Sequence, residues 1–259
     1  MTRLARSSFA ACVLTGLLLA AVPAFAHPHV WVDAKAEIVF DANGEITGVR
    51  HTWRFDPDFS AYATVNLDAN NDGKLSEDEL KPLADTNMDA LKDYDYFTYL
   101  YVGTRKVAFA KPTVYRLEFQ DDRLTLLYTL PLKAPLALRG NAMLEIGDPE
   151  YFVAISLANG DEVKLDGAPK GCTTTYTPPR ALDGHTMAML GAIPASQHDI
   201  PQDLAQAATA LSNVVQLHCP GRGADISDTR TPMDAASAAA ATAAAIRPLA
   251  DSPTAPTNH

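Results

Sequence analysis

The chain has 259 residues, a formal net charge of −10 and a hydrophobic fraction of 47%. This length fits one ordinary domain with a core large enough to fold alone. The acidic balance argues against nucleic acid and anionic lipid as partners, because both are polyanions that attract basic surfaces. The composition therefore favours an acidic globular protein, in keeping with a protein that handles cations.

The first 26 residues have the pattern of a cleaved secretory signal. Arg3 and Arg6 form a positive start, residues 10–22 are apolar, and residues 24–26 match an A-x-A cleavage site. The apolar run is too short for a comfortable membrane span. We expect residues 1–26 to be removed, which takes away two arginines and no acidic residue and moves the net charge from −10 to −12. The mature protein is then expected to be periplasmic or secreted, with no lipid anchor.

The remaining chain divides into a folded part and a tail. Residues 27–221 are predicted to form a single β-rich domain. Residues 222–259 are rich in Ala, Thr and Pro and nearly free of large apolar side chains. Such a segment buries too little surface to offset its chain entropy, so we predict that it is disordered.

A β-hairpin is predicted at the start of the domain. Residues 30–40 alternate between apolar and polar side chains, residues 43–44 are Asn-Gly, and residues 45–55 read as the return strand. This turn fixes the pairing: Ile38 with Val49, Ala34 with Trp53 and Val32 with Phe55 on the apolar face, and Asp33 with Arg54 and Glu37 with Arg50 on the polar face. Both faces are consistent, which supports the register.

The later segments predict an α+β fold. Seven short strand-like runs lie between residues 96 and 165, and residues 214–218 form a further candidate strand. Residues 186–192 and 202–213 have helical patterns. We predict an antiparallel β-sandwich body with an EF-hand helix-loop-helix inserted at about 59–92 and a C-terminal helical segment.

Residues 68–79 match the twelve-residue calcium loop of an EF-hand at every constrained position. Gly73 provides the sharp turn at position 6, and Leu75 is the apolar residue that anchors such a loop. The predicted calcium ligands are Asp68, Asn70, Asp72, the backbone carbonyl of Lys74, Ser76 through a water molecule, and Glu79. The alternative is an acidic surface turn that matches the pattern by chance.

Cleavage after residue 26 would leave His27-Pro28-His29 as the mature amino terminus. The α-amine and imidazole of His27 together form a chelating pair, and His29 offers a third nitrogen. Such ligands suit copper, nickel or zinc rather than calcium. The hairpin register places His29 opposite Asp58 with Asp56 nearby, so either carboxylate is a candidate further ligand. The alternative is a frayed terminus with solvated histidines.

Two other residue types admit a metal-binding interpretation. His51 lies on the apolar face of the hairpin, which favours a hydrogen-bonded core residue over a ligand. Cys12 leaves with the signal, so Cys172 and Cys219 remain as a pair in an oxidising compartment. A disulfide between them is expected, and a thiolate metal pair is the alternative.

The order of several motifs carries a family resemblance. These are HPHVWVDAKAEIVFD after the signal, HTWRFDPDFS, DANNDGKLSEDEL, YDYFTYL, GDPEYFVAI and the late GC…HC pair. The chain resembles uncharacterised periplasmic proteins labelled as the periplasmic component of an ABC-type transport system, over roughly residues 27–220. Members of that family are often encoded near nickel/cobalt exporter-type membrane proteins. The resemblance thus implies a metal-handling accessory role with a membrane transporter as partner.

Three functions remain in competition. The first is a non-enzymatic, calcium-binding accessory protein of a nickel, cobalt, zinc or copper transport system. The second is a copper-dependent enzyme, because an amino-terminal histidine with a second histidine resembles the copper brace of oxidative polysaccharide-cleaving enzymes. The third is a calcium-stabilised structural or interaction module.

Overall fold

The structure is a computed structural model that describes residues 28–157, 162–193 and 201–220. The predicted signal at residues 1–26 and the predicted tail at residues 222–259 lie outside the described residues. Among the helices of the described part, none is both long enough and apolar enough to cross a membrane.

Eleven strands and four α-helices are found in the described residues. In chain order they are β1 (Val30–Phe40), β2 (Ile46–Phe55), α1 (Pro57–Ala63), α2 (Glu77–Lys92), β3 (Thr98–Val102), β4 (Arg105–Val107), β5 (Val114–Gln120), β6 (Arg123–Leu136), β7 (Gly140–Ile146), β8 (Val153–Ser156), β9 (Val163–Asp166), β10 (Thr173–Thr177), α3 (Gly184–Gly191), α4 (Gln202–Ala208) and β11 (Asn213–Cys219). Short 3-10 turns cover Asp95–Phe97 and Thr209–Leu211.

The predicted hairpin register is confirmed for all five pairs between β1 and β2. Its turn differs from the two-residue type, because the register shifts between Val39 and Phe40 and a longer connection follows. The Asp41 side chain accepts hydrogen bonds from the backbone N–H groups of Asn43 and Glu45, both at 2.9 Å. Asp41 therefore organises the turn, while Gly44 supplies its positive φ of 76°.

The strands form two sheets that are mainly antiparallel. One has the order β5-β6-β2-β1-β8, with β9 also pairing with β1, and the other has the order β10-β11-β7-β3-β4. The expectation of purely antiparallel pairing is wrong at one edge, because β8 and β9 both run parallel to β1. Strand β10 was not among the predicted strands, and it pairs with β11.

The apolar residues of both sheets meet in one core. Trp53 of β2, Leu126 of β6, Leu100 of β3 and Leu144 of β7 are at most 1% exposed and belong to the same cluster. Helix α2 covers this core with its buried face of Leu80, Leu83, Ala84 and Met88. These apolar residues recur every three to four positions, so they lie on one face of the helix, and that face packs on the core.

The C-terminal helices form a smaller cluster of their own. Leu190 of α3 and Leu204 and Ala208 of α4 are buried together. Helix α4 ends at Ala208, five residues before the predicted end, and Asn213 already begins β11. The buried Asn213 amide nitrogen donates to the carbonyls of Ile146 and Ile155, so this position is held by the sheet and not by a helix.

Candidate functional site

The loop between α1 and α2 contains the predicted calcium ligands except Glu79, which lies in the first turn of α2. Helix α1 covers Pro57–Ala63, so it is short and begins two residues before the predicted start of the helix-loop-helix at about 59. Asn71 and Gly73 both have positive φ, at 58° and 78°. These two residues reverse the chain within the loop, and the space around the Gly73 α-carbon is open. Leu75 packs against the main core and anchors the loop, as predicted.

Backbone N–H groups orient the side-chain oxygens in the first half of this loop. Asp68 accepts from the N–H of Asp72 at 3.1 Å and from that of Gly73 at 2.9 Å. Asn70 Oδ1 accepts from Asp72 N–H at 2.8 Å, and Asp72 Oδ1 accepts from Lys74 N–H at 2.8 Å. The chain folds around these three side chains, which fixes the direction of their oxygens.

Glu79 joins the end of the loop to its beginning. One carboxylate oxygen accepts from the N–H of Ala69 at 2.9 Å, and the other accepts from the backbone N–H and the hydroxyl of Ser76 at 2.9 and 2.7 Å. The hydrogen bonds from Ser76, followed by those from the backbone of Ala69 and Asn70, lower the pKa of Glu79. Ser76 and Glu79 also form a capping box at the start of α2, because each side chain accepts a hydrogen bond from the backbone N–H of the other.

The donor chemistry of this loop fits a hard cation. The predicted ligands are carboxylate, amide, hydroxyl and carbonyl oxygens, which is the set that Ca²⁺ prefers. In residues 28–157, 162–193 and 201–220, no group of three or more His, Cys, Asp or Glu side chains is gathered closely enough to hold a metal ion. The loop thus has oriented oxygens in the expected order, without an assembled cage of carboxylates.

The predicted amino-terminal site is only partly within the described residues, because His27 lies outside them. His29 is half-buried and its ring stacks on Phe152, with the ring centres 4.7 Å apart. Its backbone N–H donates to the Phe152 carbonyl at 2.9 Å. Burial lowers the pKa of His29 from its usual value. The lowered pKa favours the neutral imidazole, which is the form that binds metals.

Asp56 and Asp58 do not lie where the predicted β1–β2 pairing placed them when it was extended to His29. The β1–β2 pairing ends at Val32 and Phe55, so Asp58 lies in the first turn of α1 and not on the strand opposite His29. Asp56 is the N-cap of α1, and its two oxygens accept from the N–H groups of Trp31 and Phe59, both at 2.9 Å. Asp56 therefore stabilises the corner between β2 and α1 through hydrogen bonds to the backbone.

His51 is a core residue, as the sequence favoured. Its exposed fraction is 1%, its Nε2 lies 3.2 Å from the Thr98 hydroxyl, and its ring stacks on Tyr128 with the ring centres 4.8 Å apart. Burial lowers the pKa of His51 to about 3.

The disulfide between Cys172 and Cys219 is confirmed, and it joins the residue before β10 to the end of β11. A thiolate metal pair at these cysteines is excluded by that bond.

A turn at residues 148–151, within the motif GDPEYFVAI, supports the position of Phe152. Asp148 accepts from the N–H groups of Glu150 and Val153, both at 2.9 Å. Burial raises the pKa of Asp148 to about 6. The turn ends at Tyr151, whose φ of 55° is positive. It brings Phe152 against His29, which no local sequence pattern indicated.

Comparison with known proteins places the chain among uncharacterised relatives. A protein of Haemophilus influenzae named "Uncharacterized protein" is 27% identical over 150 residues, which cover 57% of this chain and 70% of the relative. A protein of Spirochaeta aurantia named "Uncharacterized 15.5 kDa protein in trpE 3'region" is 38% identical over 101 residues, which cover 39% of this chain and 72% of the relative. A family match over residues 12–219 includes the described residues up to the end of β11. The chain therefore belongs to the family described as "Protein of unknown function (DUF1007)".

Proposed function

We propose that this protein is an exported, calcium-binding accessory of a divalent transition-metal transport system, and that it is not an enzyme. The observation that carries the proposal is the loop at residues 68–79, where backbone N–H groups orient the oxygens of Asp68, Asn70, Asp72 and Glu79. The disulfide agrees with an oxidising compartment such as the periplasm. Calcium in this loop serves mainly to stabilise the fold.

In this proposal Asp68, Asn70, Asp72, Ser76 and Glu79 hold the ion through their side chains, and Lys74 holds it through its carbonyl. Three of these side chains are carboxylates, and they repel one another without a cation. A bound Ca²⁺ removes that repulsion and links the end of α1 to the start of α2. The two helices with this loop are then an EF-hand inserted between the first hairpin and β3 of a β-sandwich.

The calcium proposal is tested by thermal unfolding of the wild type and two variants, with a chelator or with millimolar calcium. A ligand that binds only the folded state adds about 2.7 kcal/mol at one hundred times its dissociation constant. Glu79→Gln should abolish most of the calcium-dependent rise in Tm. Glu77→Gln, a matched change at a neighbouring position that is not a ligand, should keep it. Equal Tm values for the wild type with and without calcium would contradict the proposal.

The transition-metal part of the proposal depends on the amino terminus. We propose that His27 binds nickel, cobalt, zinc or copper through its α-amine and imidazole, with His29 as a further ligand. Burial lowers the pKa of His29, and this supports the proposal because a ligand imidazole must be unprotonated. Asp58 stays a candidate fourth ligand. The hydrogen bonds of Asp56 to backbone N–H groups make that residue less suited to the task. A membrane metal transporter is the proposed partner.

Calorimetric titration of each metal into the processed protein, with calcium saturating the loop, tests this second part. His27→Ala and a variant with one extra residue before His27 should both lose affinity. His185→Ala, at an exposed helical histidine, should bind as the wild type does. If the extended variant binds as tightly as the wild type, the α-amine is not a ligand. Oxygen consumption by the copper-loaded protein in the presence of a reductant would instead support the alternative function, a copper-dependent enzyme.

A further inference from the structure

Strand β5 forms one edge of the sheet that contains β1 and β2. Its residues, Val114–Gln120, pair with β6 without a register shift, and they pair with no other strand of the described part. Their backbone groups also take part in none of the turn, loop or cap hydrogen bonds found within residues 28–157, 162–193 and 201–220. One side of β5 therefore presents a row of unpaired backbone N–H and C=O groups.

This edge lacks the features that usually protect an edge strand. Natural edges are kept short or carry a bulge, Pro or Lys, because an open edge pairs readily with other chains. The sequence VYRLEFQ contains neither Pro nor Lys, and its ladder with β6 has no bulge. The other edge strands are shorter, with three residues in β4, four each in β8 and β9, and five in β10. The longest edge is thus a regular template for a further strand.

The two faces of β5 differ in chemistry. Three side chains of the inner face pack on the core: Tyr115, Leu117 and Phe119. Helix α2 is attached to this face, where the Tyr115 hydroxyl donates to Asp85 at 2.8 Å. Arg116 and Glu118 lie on the outer face and form an ion pair at 2.7 Å, with side chains that are 46% and 47% exposed. An exposed pair of this kind adds little to the stability of one chain, so both charges are accessible to a partner.

The sequence of β5 is complementary to itself when a second copy pairs with it antiparallel about Leu117. Arg116 then lies opposite Glu118 of the partner subunit, and Glu118 lies opposite Arg116 of the partner subunit. On the inner face Leu117 lies opposite its own copy, and Tyr115 lies opposite Phe119 of the partner subunit. Opposite charges and pairs of apolar side chains are the cross-strand combinations that stabilise antiparallel strands.

The charges also select this register over its neighbours. A two-fold axis perpendicular to the sheet keeps outer side chains opposite outer ones, so the register can change only in steps of two residues. One step in the first direction places Arg116 opposite its own copy. One step in the other direction places Glu118 opposite its own copy. Like charges directly opposite each other are destabilising, so the register centred on Leu117 is favoured.

We propose that β5 pairs with β5 of a second copy of this chain and that the two chains form a symmetric dimer through one continuous sheet. The interface is isologous, because the same strand contributes on both sides. The backbone groups of the edge then have partners, and Arg116 and Glu118 form ion pairs between the subunits. The dimer does not depend on the function proposed above, since neither the calcium loop nor the amino terminus contributes a residue to this strand.

Sedimentation equilibrium of the processed protein over a wide range of concentration measures the association. The wild type should reach the mass of two chains. Arg116→Glu should weaken association about tenfold or more, because both cross-strand pairs become repulsive. Arg105→Glu, at an exposed position of β4 in the other sheet, changes the net charge equally and should associate as the wild type does. A wild type that stays monomeric at its highest soluble concentration overturns the proposal, because the edge then faces solvent or a different partner.

A mixture of two charge variants tests the register itself. Glu118→Arg alone should also associate about tenfold more weakly or worse. An equal mixture of Arg116→Glu and Glu118→Arg should form a mixed dimer more tightly than either variant pairs with itself, because every cross-strand pair then has opposite charges. The double variant Arg116→Glu/Glu118→Arg should recover the wild-type association.

Thermal melts confirm that the variants are folded, as expected for changes at exposed side chains. The proposal is overturned if the mixture associates no more tightly than the separate variants. It is also overturned if each single variant forms dimers as tightly as the wild type, because the two chains then meet through another surface.

Discussion

Asp56 provides a direct way to separate a structural carboxylate from a metal ligand. Both of its oxygens accept hydrogen bonds from backbone N–H groups, one from Trp31 in β1 and one from Phe59 in α1. Asp56→Ala removes both bonds and leaves the first turn of α1 uncapped. Asp58→Ala, two residues later, removes only an acidic side chain from the same turn.

The two variants should differ clearly in stability. Loss of an N-cap costs about 1 kcal/mol. The second bond, to a charged acceptor in an exposed position, adds about 1.5 kcal/mol. Asp56→Ala should therefore lower the free energy of unfolding by about 2.5 kcal/mol, which corresponds to a fall in Tm of about 5–10 °C for a domain of this size. Asp58→Ala should cost about 0.5 kcal/mol through the helix dipole alone.

Urea unfolding at one fixed calcium concentration measures this difference. The slope of the free energy against urea should be the same for both variants and the wild type, so that the midpoints report stability alone. Indistinguishable midpoints for Asp56→Ala and Asp58→Ala would refute the structural assignment of Asp56. In that case, a transition-metal affinity that falls only in Asp56→Ala would restore Asp56 as a ligand.

Three further predictions follow from the fold. The double variant Cys172→Ser/Cys219→Ser should lose about 4 kcal/mol in urea unfolding on the chain-entropy model, because the bond closes a long loop with a sequence separation of 47. Burial lowers the pKa of His51 to about 3 in the folded state, so on acidification the unfolded chain takes up this proton before the folded protein does. The free energy of unfolding should therefore fall by up to about 1.4 kcal/mol per pH unit as the pH drops from about 6.5 towards 3. Urea unfolding of His51→Phe over the same pH range should lack this contribution to the slope. Gly44→Ala should cost about 1–2 kcal/mol in thermal melts, because φ is positive there and an added Cβ would approach the Pro169 ring.

The hairpin was predictable because two independent patterns agreed. The apolar pairs of one face and the charge pairs of the other select the same register, and a slip by one residue would spoil both. Extension of that register to Asp58 failed at Pro57, which starts a helix after an N-cap aspartate. The Asp-Pro pair is itself a helix-start signal, so the correct interpretation was available from the sequence.

The parallel edge strands and the contact between His29 and Phe152 were not predictable in this way. The apolar run of β8 and the alternation of apolar and polar residues in β9 indicate strands, but neither pattern encodes whether the partner strand is parallel or antiparallel. His29 and Phe152 are far apart in the sequence, and only the pairing of β1 with β8 brings their rings together. The calcium loop is the opposite case, because its candidate ligands lie within one short segment.

The measurement that tests the central claim most directly is a calorimetric calcium titration of chelator-treated protein. Wild type and Glu77→Gln should each bind one Ca²⁺ with the same affinity, and Glu79→Gln should bind it far more weakly, because a carboxylate that can hold the ion with both oxygens is lost. Absence of a binding isotherm for the wild type at millimolar calcium, or equal affinities for wild type and Glu79→Gln, would contradict the assignment of residues 68–79 as a calcium site.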